Sequence, residues 1–337
     1  MKQLEAFTLG KKFGQPQTNE DSLVILPGLG YAVIDGVTDR NGTRYDDMLS
    51  GQFASRTVKR ATELFLLAQQ DPKQSDLYYN GPEAFITYLS DCIKEGYRRH
   101  GVLDAVEADW KLRGGCTIMA ALIIGDRLEV IAVGDSGIRI NGTDTLQVLK
   151  PLDDVTAILR REAWHYFEAE GLDLEERNRL AGLLTWRGTR NQETGERTAQ
   201  PEIIAIIEER AFKAASAHLS NVPEVELREL IEHGISYGQG NFQNVADRVL
   251  GYGGLDGFPV EPRFVESRTY ALADVHTIEL FSDGYFKLGD TFGVTAWEKA
   301  FAEVEAEDPH KIAAYMSTKG TTDIALTDDR SYLGVKL

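Results

Sequence analysis

The sequence predicts an α+β fold, with a mostly antiparallel sheet system flanked by helices and no regular βαβ winding. Three observations lead there. Apolar runs of strand length gather near the N-terminus, around residues 114–142 and near the C-terminus. Between the first two groups the apolar spacing switches to a helical period. A long helix-like stretch then separates the middle strands from the last ones.

Taken in order, Ser22–Leu26 (SLVIL) and residues 31–35 (YAVID) are apolar runs parted by Pro27-Gly28-Leu29-Gly30, a turn composition. Over 46–70, Ala54, Val58, Ala61, Phe65 and Ala68 recur at helical spacing. Pro82 opens a second helix, with Phe85, Leu89, Ile93 and Tyr97 on one face and a stop near His100-Gly101. Residues 114–142 read as strand, turn, strand, turn, strand, with Gly125-Asp126 at the first turn. Alternation is weak there, which predicts strands covered on both faces. Residues 153–250 form a mainly helical insertion punctuated by Pro201 and Pro223, without a metal or catalytic motif. Its glycine-rich end, at 234–257, predicts loops around a short helix at most. Strands follow at 269–272 and 277–282, helices at 296–306 and 309–318, and strands at 324–326 and 332–336.

Composition narrows the function classes. The 337 residues suffice for roughly two domains of ~150 residues, or for one large domain with an insertion. Hydrophobic residues at 42% and charged residues at 26% fit a globular chain and exclude a disordered one. The net charge of −17 argues against nucleic-acid or anionic-membrane partners and suits sites that collect divalent cations. Cys92 and Cys116 make no disulfide framework, which points to a reducing compartment. No run approaches the ~18 apolar residues of a membrane span, and the start lacks an export-type apolar region. The expectation is a cytoplasmic protein.

The chemistry-bearing residues are acids where predicted strands meet loops: Asn19-Glu20-Asp21, Asp35-Gly36, Gly134-Asp135-Ser136, Asp283-Gly284 and Asp328-Asp329. Singly, each is an ordinary turn sequence. Together they can converge on one rim of a sheet. Converging carboxylates raise one another's pKa and stay ionised only with a cation. An all-oxygen set selects Mg²⁺ or Mn²⁺ over Zn²⁺.

In this order the segments TNEDS (18–22), YAVIDG (31–36), GGCTIMAAL (114–122), VGDSGIR (133–139), ELFSDG (279–284) and TDDRSYLGV (327–335) resemble the metal-dependent protein phosphatases of the type 2C (PPM) family. The resemblance implies a four-layer α-β-β-α sandwich of two antiparallel sheets, as a single domain over 1–337 with the 153–250 insertion. It implies two Mg²⁺ or Mn²⁺ ions, with a weaker third, and hydrolysis of phosphoserine and phosphothreonine in proteins by a hydroxide bridging the two ions. Asp35 would bridge the ions and the Gly36 carbonyl would bind one of them. Asp283 and Asp328 would be terminal ligands, and Glu20 and Asp21 would hold ion-bound waters. Asp135, again with Asp283, matches the weaker third site. Gly114, Gly115 and Thr117 match a motif that packs the sheet.

The match departs from the family in two places. The phosphate-gripping Arg before Asn-Glu-Asp is missing from Gly14-Gln15-Pro16-Gln17-Thr18, which leaves the phosphate-binding residue unknown; Lys11, Lys12, Arg40, Arg44 and Arg113 are the candidate cations. Val37 stands where some relatives carry a proton-donating His. Two alternatives therefore stand beside the protein phosphatase: a weakly active or inactive binding module of the same fold, and a phosphatase for a small phosphorylated metabolite. The sequence does not set the oligomeric state.

Overall fold

The computed structural model describes residues 1–38, 41–70, 77–191 and 194–337. It divides into two compact units. The first comprises residues 1–149, 253–303 and 324–337, and the second residues 150–252 and 304–323. In chain order the elements begin with β1 (Gln3–Leu9), β2 (Ser22–Leu26), β3 (Gly30–Ile34) and the two-residue strands β4 (Arg44–Tyr45) and β5 (Met48–Leu49). Helices α1 (Ser50–Ala68), α2 (Pro82–Arg99) and α3 (Leu103–Ala108) follow, then β6 (Ile118–Ile124), β7 (Arg127–Val133), β8 (Gly137–Ile140) and β9 (Asp144–Gln147). The second unit carries α4 (Pro151–Ala169), α5 (Leu174–Arg187), α6 (Pro201–His218) and α7 (Glu224–Asn241). The chain ends with β10 (Glu266–Ala271), β11 (Thr277–Phe281), α8 (Val294–Glu307) and β12 (Arg330–Lys336).

In the first unit two five-stranded sheets, ordered β1-β12-β11-β8-β9 and β10-β7-β6-β3-β2, are antiparallel throughout. The strands alternate between two cores. Ala32 and Ile34 of β3 and Ile118, Ala120 and Leu122 of β6 pack under Ala54, Val58 and Phe65 of α1 and Leu89 and Ile93 of α2. The intervening Tyr31, Val33, Met119 and Ala121 meet Ile138, Ile278, Leu280, Leu333 and Val335 of the other sheet. That sheet's opposite face carries Phe281 and Tyr332, which pack on Trp297 of α8. The order is helices, sheet, sheet, helix: an α+β four-layer α-β-β-α sandwich. The weak alternation of the middle strands has its cause here, since both their faces are buried.

Helix α1 starts at Ser50, later than the apolar period suggested, because residues 44–49 form the β4–β5 hairpin with Asp46 at φ 51°. Gln52 then accepts from the Leu49 N–H at 3.1 Å, which closes the first turn. Around the core of the second unit, Val155, Leu159, Trp164, Ile207 and Leu230 from α4, α6 and α7 come together. Three expectations fail locally. The glycine-rich stretch predicted as loop is entered by α7, which bends at Gly234, where φ is 69°. The helix predicted over 309–318 is absent, because the Asp308 carboxylate takes the N–H groups of Ile312, Ala313 and Tyr315 at 2.9–3.1 Å and wraps the backbone around itself. The strand predicted over 324–326 reduces to one bridge, between Lys12 and Ala325.

Candidate metal centre

Every acid singled out in the sequence lies at a strand end of the first unit. Glu20 and Asp21 precede β2, Asp35 follows β3, and Asp135 sits in the β7–β8 turn. Asp283 follows β11, and Asp328 and Asp329 precede β12. Carboxylate oxygens of Asp35, Asp135 and Asp283 lie within 4.8 Å of one another.

The backbone around this triad is fixed from several directions. The Asp35 carbonyl accepts from the Thr117 N–H at 2.8 Å, and the Val37 N–H donates to the Gly115 carbonyl at 2.9 Å. Gly36 is wedged so tightly that a Cβ there would stand 2.6 Å from the Gly51 carbonyl and 2.7 Å from that of Glu20. The Thr117 and Ser136 hydroxyls are 3.2 Å apart, which ties the Asp135 turn to the same strand end. Ser282 donates to Asp21 at 3.0 Å and accepts from the Ser331 N–H at 2.8 Å, so Asp21 is coupled to the segment that carries Asp283.

A second group gathers on Lys11. Its ammonium donates to Thr38 Oγ1 at 2.7 Å and Asp328 Oδ1 at 2.8 Å, and lies 3.3 Å from Asp329 and 3.4 Å from Glu20. Asp329 is the scaffold beneath it, accepting from the backbone N–H of Lys11 at 2.6 Å and of Glu20 at 3.1 Å. Asp328, predicted beside Asp35 and Asp283, thus has its Oδ1 on a lysine, while Asp135, predicted only for a third ion, joins the triad. The sequence carried no signal for Asp329's role beyond its place after Asp328.

The electrostatics follow from burial and crowding. Burial, then Asp21 and Asp328, raise Asp35 well above the usual carboxylate range. Burial, then Asp35 and Asp135, do the same to Asp283. Asp21 is pushed up to about 7 by burial and then by Asp329. Glu20 is raised by burial against the pull of Lys11. Burial would lower the Lys11 ammonium, but Asp328, Asp329 and Glu20 outweigh it and hold it well above its ordinary value.

Among the described residues, the buried oxygens Glu20 Oε1, Asp21 Oδ1 and Asp283 Oδ1 have no hydrogen-bond partner. Buried carboxylate oxygens without donors are costly unless a cation completes them. This all-oxygen donor set therefore fits a hard divalent ion.

Of the other candidate phosphate-gripping cations, three lie among the described residues. Arg113 donates to Asp256 at 3.2 Å and to the Val106 carbonyl at 3.0 Å, and lies over the Phe258 ring. Arg44 is exposed and donates to the Asp47 carbonyl, and Lys12 is exposed. Arg40 lies outside the described residues. No helix among the described residues is long and apolar enough to cross a membrane.

No family model and no curated protein matches the chain. Among solved structures it is similar to a bacterial serine phosphatase, with 13% identity, 98% of this chain and 96% of that one covered, and a TM-score of 0.44. It is also similar to the serine/threonine phosphatase Stp1 from Staphylococcus aureus, with 13% identity, 99% and 95% covered, and a TM-score of 0.41. A third similar structure is the Mycobacterium tuberculosis serine/threonine phosphatase PstP/Ppp, with 16% identity, 99% and 98% covered, and a TM-score of 0.39.

Proposed function

We propose that the chain is a cytoplasmic metal-dependent phosphatase of the type 2C (PPM) family that hydrolyses phosphoserine and phosphothreonine esters in proteins. The observation that carries this reading is the convergence of Asp35, Asp135 and Asp283, distant in sequence, beside buried carboxylate oxygens that lack donors. In this reading 1–337 is one phosphatase domain, with the helical stretch at about 153–250 as its insertion.

Asp35 would be shared by two Mg²⁺ or Mn²⁺ ions, with the Gly36 carbonyl, Asp283 and Asp328 completing the inner set. Glu20 and Asp21 would hold water at the ions, and Asp135 with Asp283 would serve a weaker third. Such ions, when bound, lower the pKa of water and neutralise phosphoryl oxygens. The chain's own contribution is positional. Ser282 holds Asp21, the Thr117 N–H holds the Asp35 backbone, and Asp329 holds the start of the Glu20-Asp21 segment. Val37 carries no titratable group, so water at the site or a histidine from elsewhere in the chain would supply the proton for the leaving alkoxide.

The test is phosphate release from a phosphoserine peptide with Mn²⁺. Asp35→Asn and Asp283→Asn should each reduce it to background, and rates equal to that of the unaltered chain would refute the site. Faster release from small phosphoesters than from phosphopeptides would favour a metabolite as substrate.

A further inference from the structure

We propose that the Lys11 ammonium is a resident cation of this carboxylate rim, and that a second divalent ion drawing on Asp328 binds in competition with it. The inference rests on the metal-centre reading above and concerns the order in which that centre fills.

Lys11 is built into the site. It is 7% exposed, and its backbone is pinned on both sides, by its N–H to Asp329 at 2.6 Å and its carbonyl to the Leu326 N–H at 2.9 Å. From that anchored backbone the ammonium, a donor of three hydrogens, reaches four oxygens within 3.4 Å: those of Thr38, Asp328, Asp329 and Glu20. Asp328 Oδ1 receives both the ammonium and the Asp329 N–H, at 2.8 and 3.0 Å. An oxygen with two donors has no lone pair left for an ion. On the Glu20 side, Oε2 accepts from Thr38 at 2.9 Å and faces Lys11, while Oε1 has no partner.

The triad differs. Among the described residues the Lys11 ammonium donates to neither Asp35, Asp135 nor Asp283. A first ion held by Asp35 with Asp283 or the Gly36 carbonyl therefore leaves Lys11 in place. A second ion that draws on Asp328 Oδ1 has to take that oxygen from the ammonium, and one that uses Oδ2 still meets the repulsion of a unit charge a few Å away. Filling is then stepwise, and Lys11 sets the gap between the two affinities.

The experiment is calorimetric titration of the full chain with Mn²⁺, for the unaltered protein, Lys11→Met and Lys11→Arg, with Mn²⁺ electron paramagnetic resonance on the unaltered protein. Two unequal steps are expected in the unaltered protein and in Lys11→Arg. In Lys11→Met the second step should tighten on the order of ten-fold or more while the first changes little, because a charge in direct competition is gone. A second step in Lys11→Met that is unchanged or weaker overturns the proposal and makes Lys11 a positioning residue for Asp328.

The resonance measurement needs no variant and serves if Lys11→Met fails to fold by circular dichroism. An uncoupled spectrum up to one equivalent supports stepwise filling, and a spin-coupled pair at substoichiometric Mn²⁺ overturns it. No Mn²⁺ binding by any of the three chains, with circular dichroism showing them folded, refutes the metal centre itself.

Discussion

The first unit buries two sets of acids and treats them in opposite ways. Glu279, on β11 and 1% exposed, is fully partnered. It accepts from Arg139 Nε at 2.8 Å and Nη2 at 2.9 Å, from Trp297 Nε1 at 2.9 Å and from the Tyr332 hydroxyl at 2.9 Å. Two further Arg139 N–H groups reach the Gly289 and Thr291 carbonyls. At the strand-end rim, Glu20, Asp21 and Asp283 keep buried oxygens without donors. A network whose partners are all protein locks four elements together, whereas one left open holds free energy for a ligand to release. The contrast separates acids closed by protein donors from acids left open, where burial alone does not.

Cutting the closed network should have the largest effect. Arg139→Ala leaves Glu279 charged and buried, and should cost about 3–5 kcal/mol in denaturant unfolding, with or without Mn²⁺. At the open network the ligand supplies what the protein omits. Saturating Mn²⁺, at a hundred times its dissociation constant, should add about 2.7 kcal/mol of stability in thermal or denaturant unfolding, and Asp35→Asn should abolish that gain. Without metal, the sign at the rim reverses. Asp283→Asn removes a crowded carboxyl and should stabilise the ion-free chain by about 1 kcal/mol, where Arg139→Ala destabilises it. A loss of stability in ion-free Asp283→Asn would show that the rim acids are as fully compensated as Glu279.

A smaller effect appears with pH. Asp21 rises from 3.8 to about 7 in the folded, ion-free protein. Below 3.8 both states hold the proton, and between 3.8 and about 7 only the folded state does. Stability from this group is therefore complete below the lower value and falls as the pH climbs through that window, by up to about 1.4 kcal/mol per pH unit, then levels off. Asp21→Asn should flatten that slope in ion-free unfolding curves, and equal slopes for the two proteins would remove Asp21 from the account.

Legibility from sequence followed the range of the interactions. The antiparallel sheets and flanking helices were readable because period and turn chemistry are local, their stacking into a sandwich came only with the family resemblance, and the doubly buried middle strands announced themselves by weak alternation. The rim acids were readable as a set because each ends a strand. The pairing of Lys11 with Asp328 was not, since 317 positions separate them and lysine beside a turn is ordinary. The missing helix over 309–318 had the right apolar spacing, yet one carboxylate, Asp308, outcompeted the helical hydrogen bonds. The role of 304–323 in the second unit depends on contacts with α4, such as Arg160 donating to the His310 carbonyl at 2.7 Å.

That last contact bears on how the protein can be trimmed. The helical unit is woven from two separate stretches of polypeptide, so the chain passes into and out of it twice. Excising 150–252 alone would strand the 304–323 stretch, baring Ile312 and Met316, which pack against the removed helices. A fragment limited to the first unit needs two simultaneous deletions and two new joints, and a fragment made with only one should aggregate.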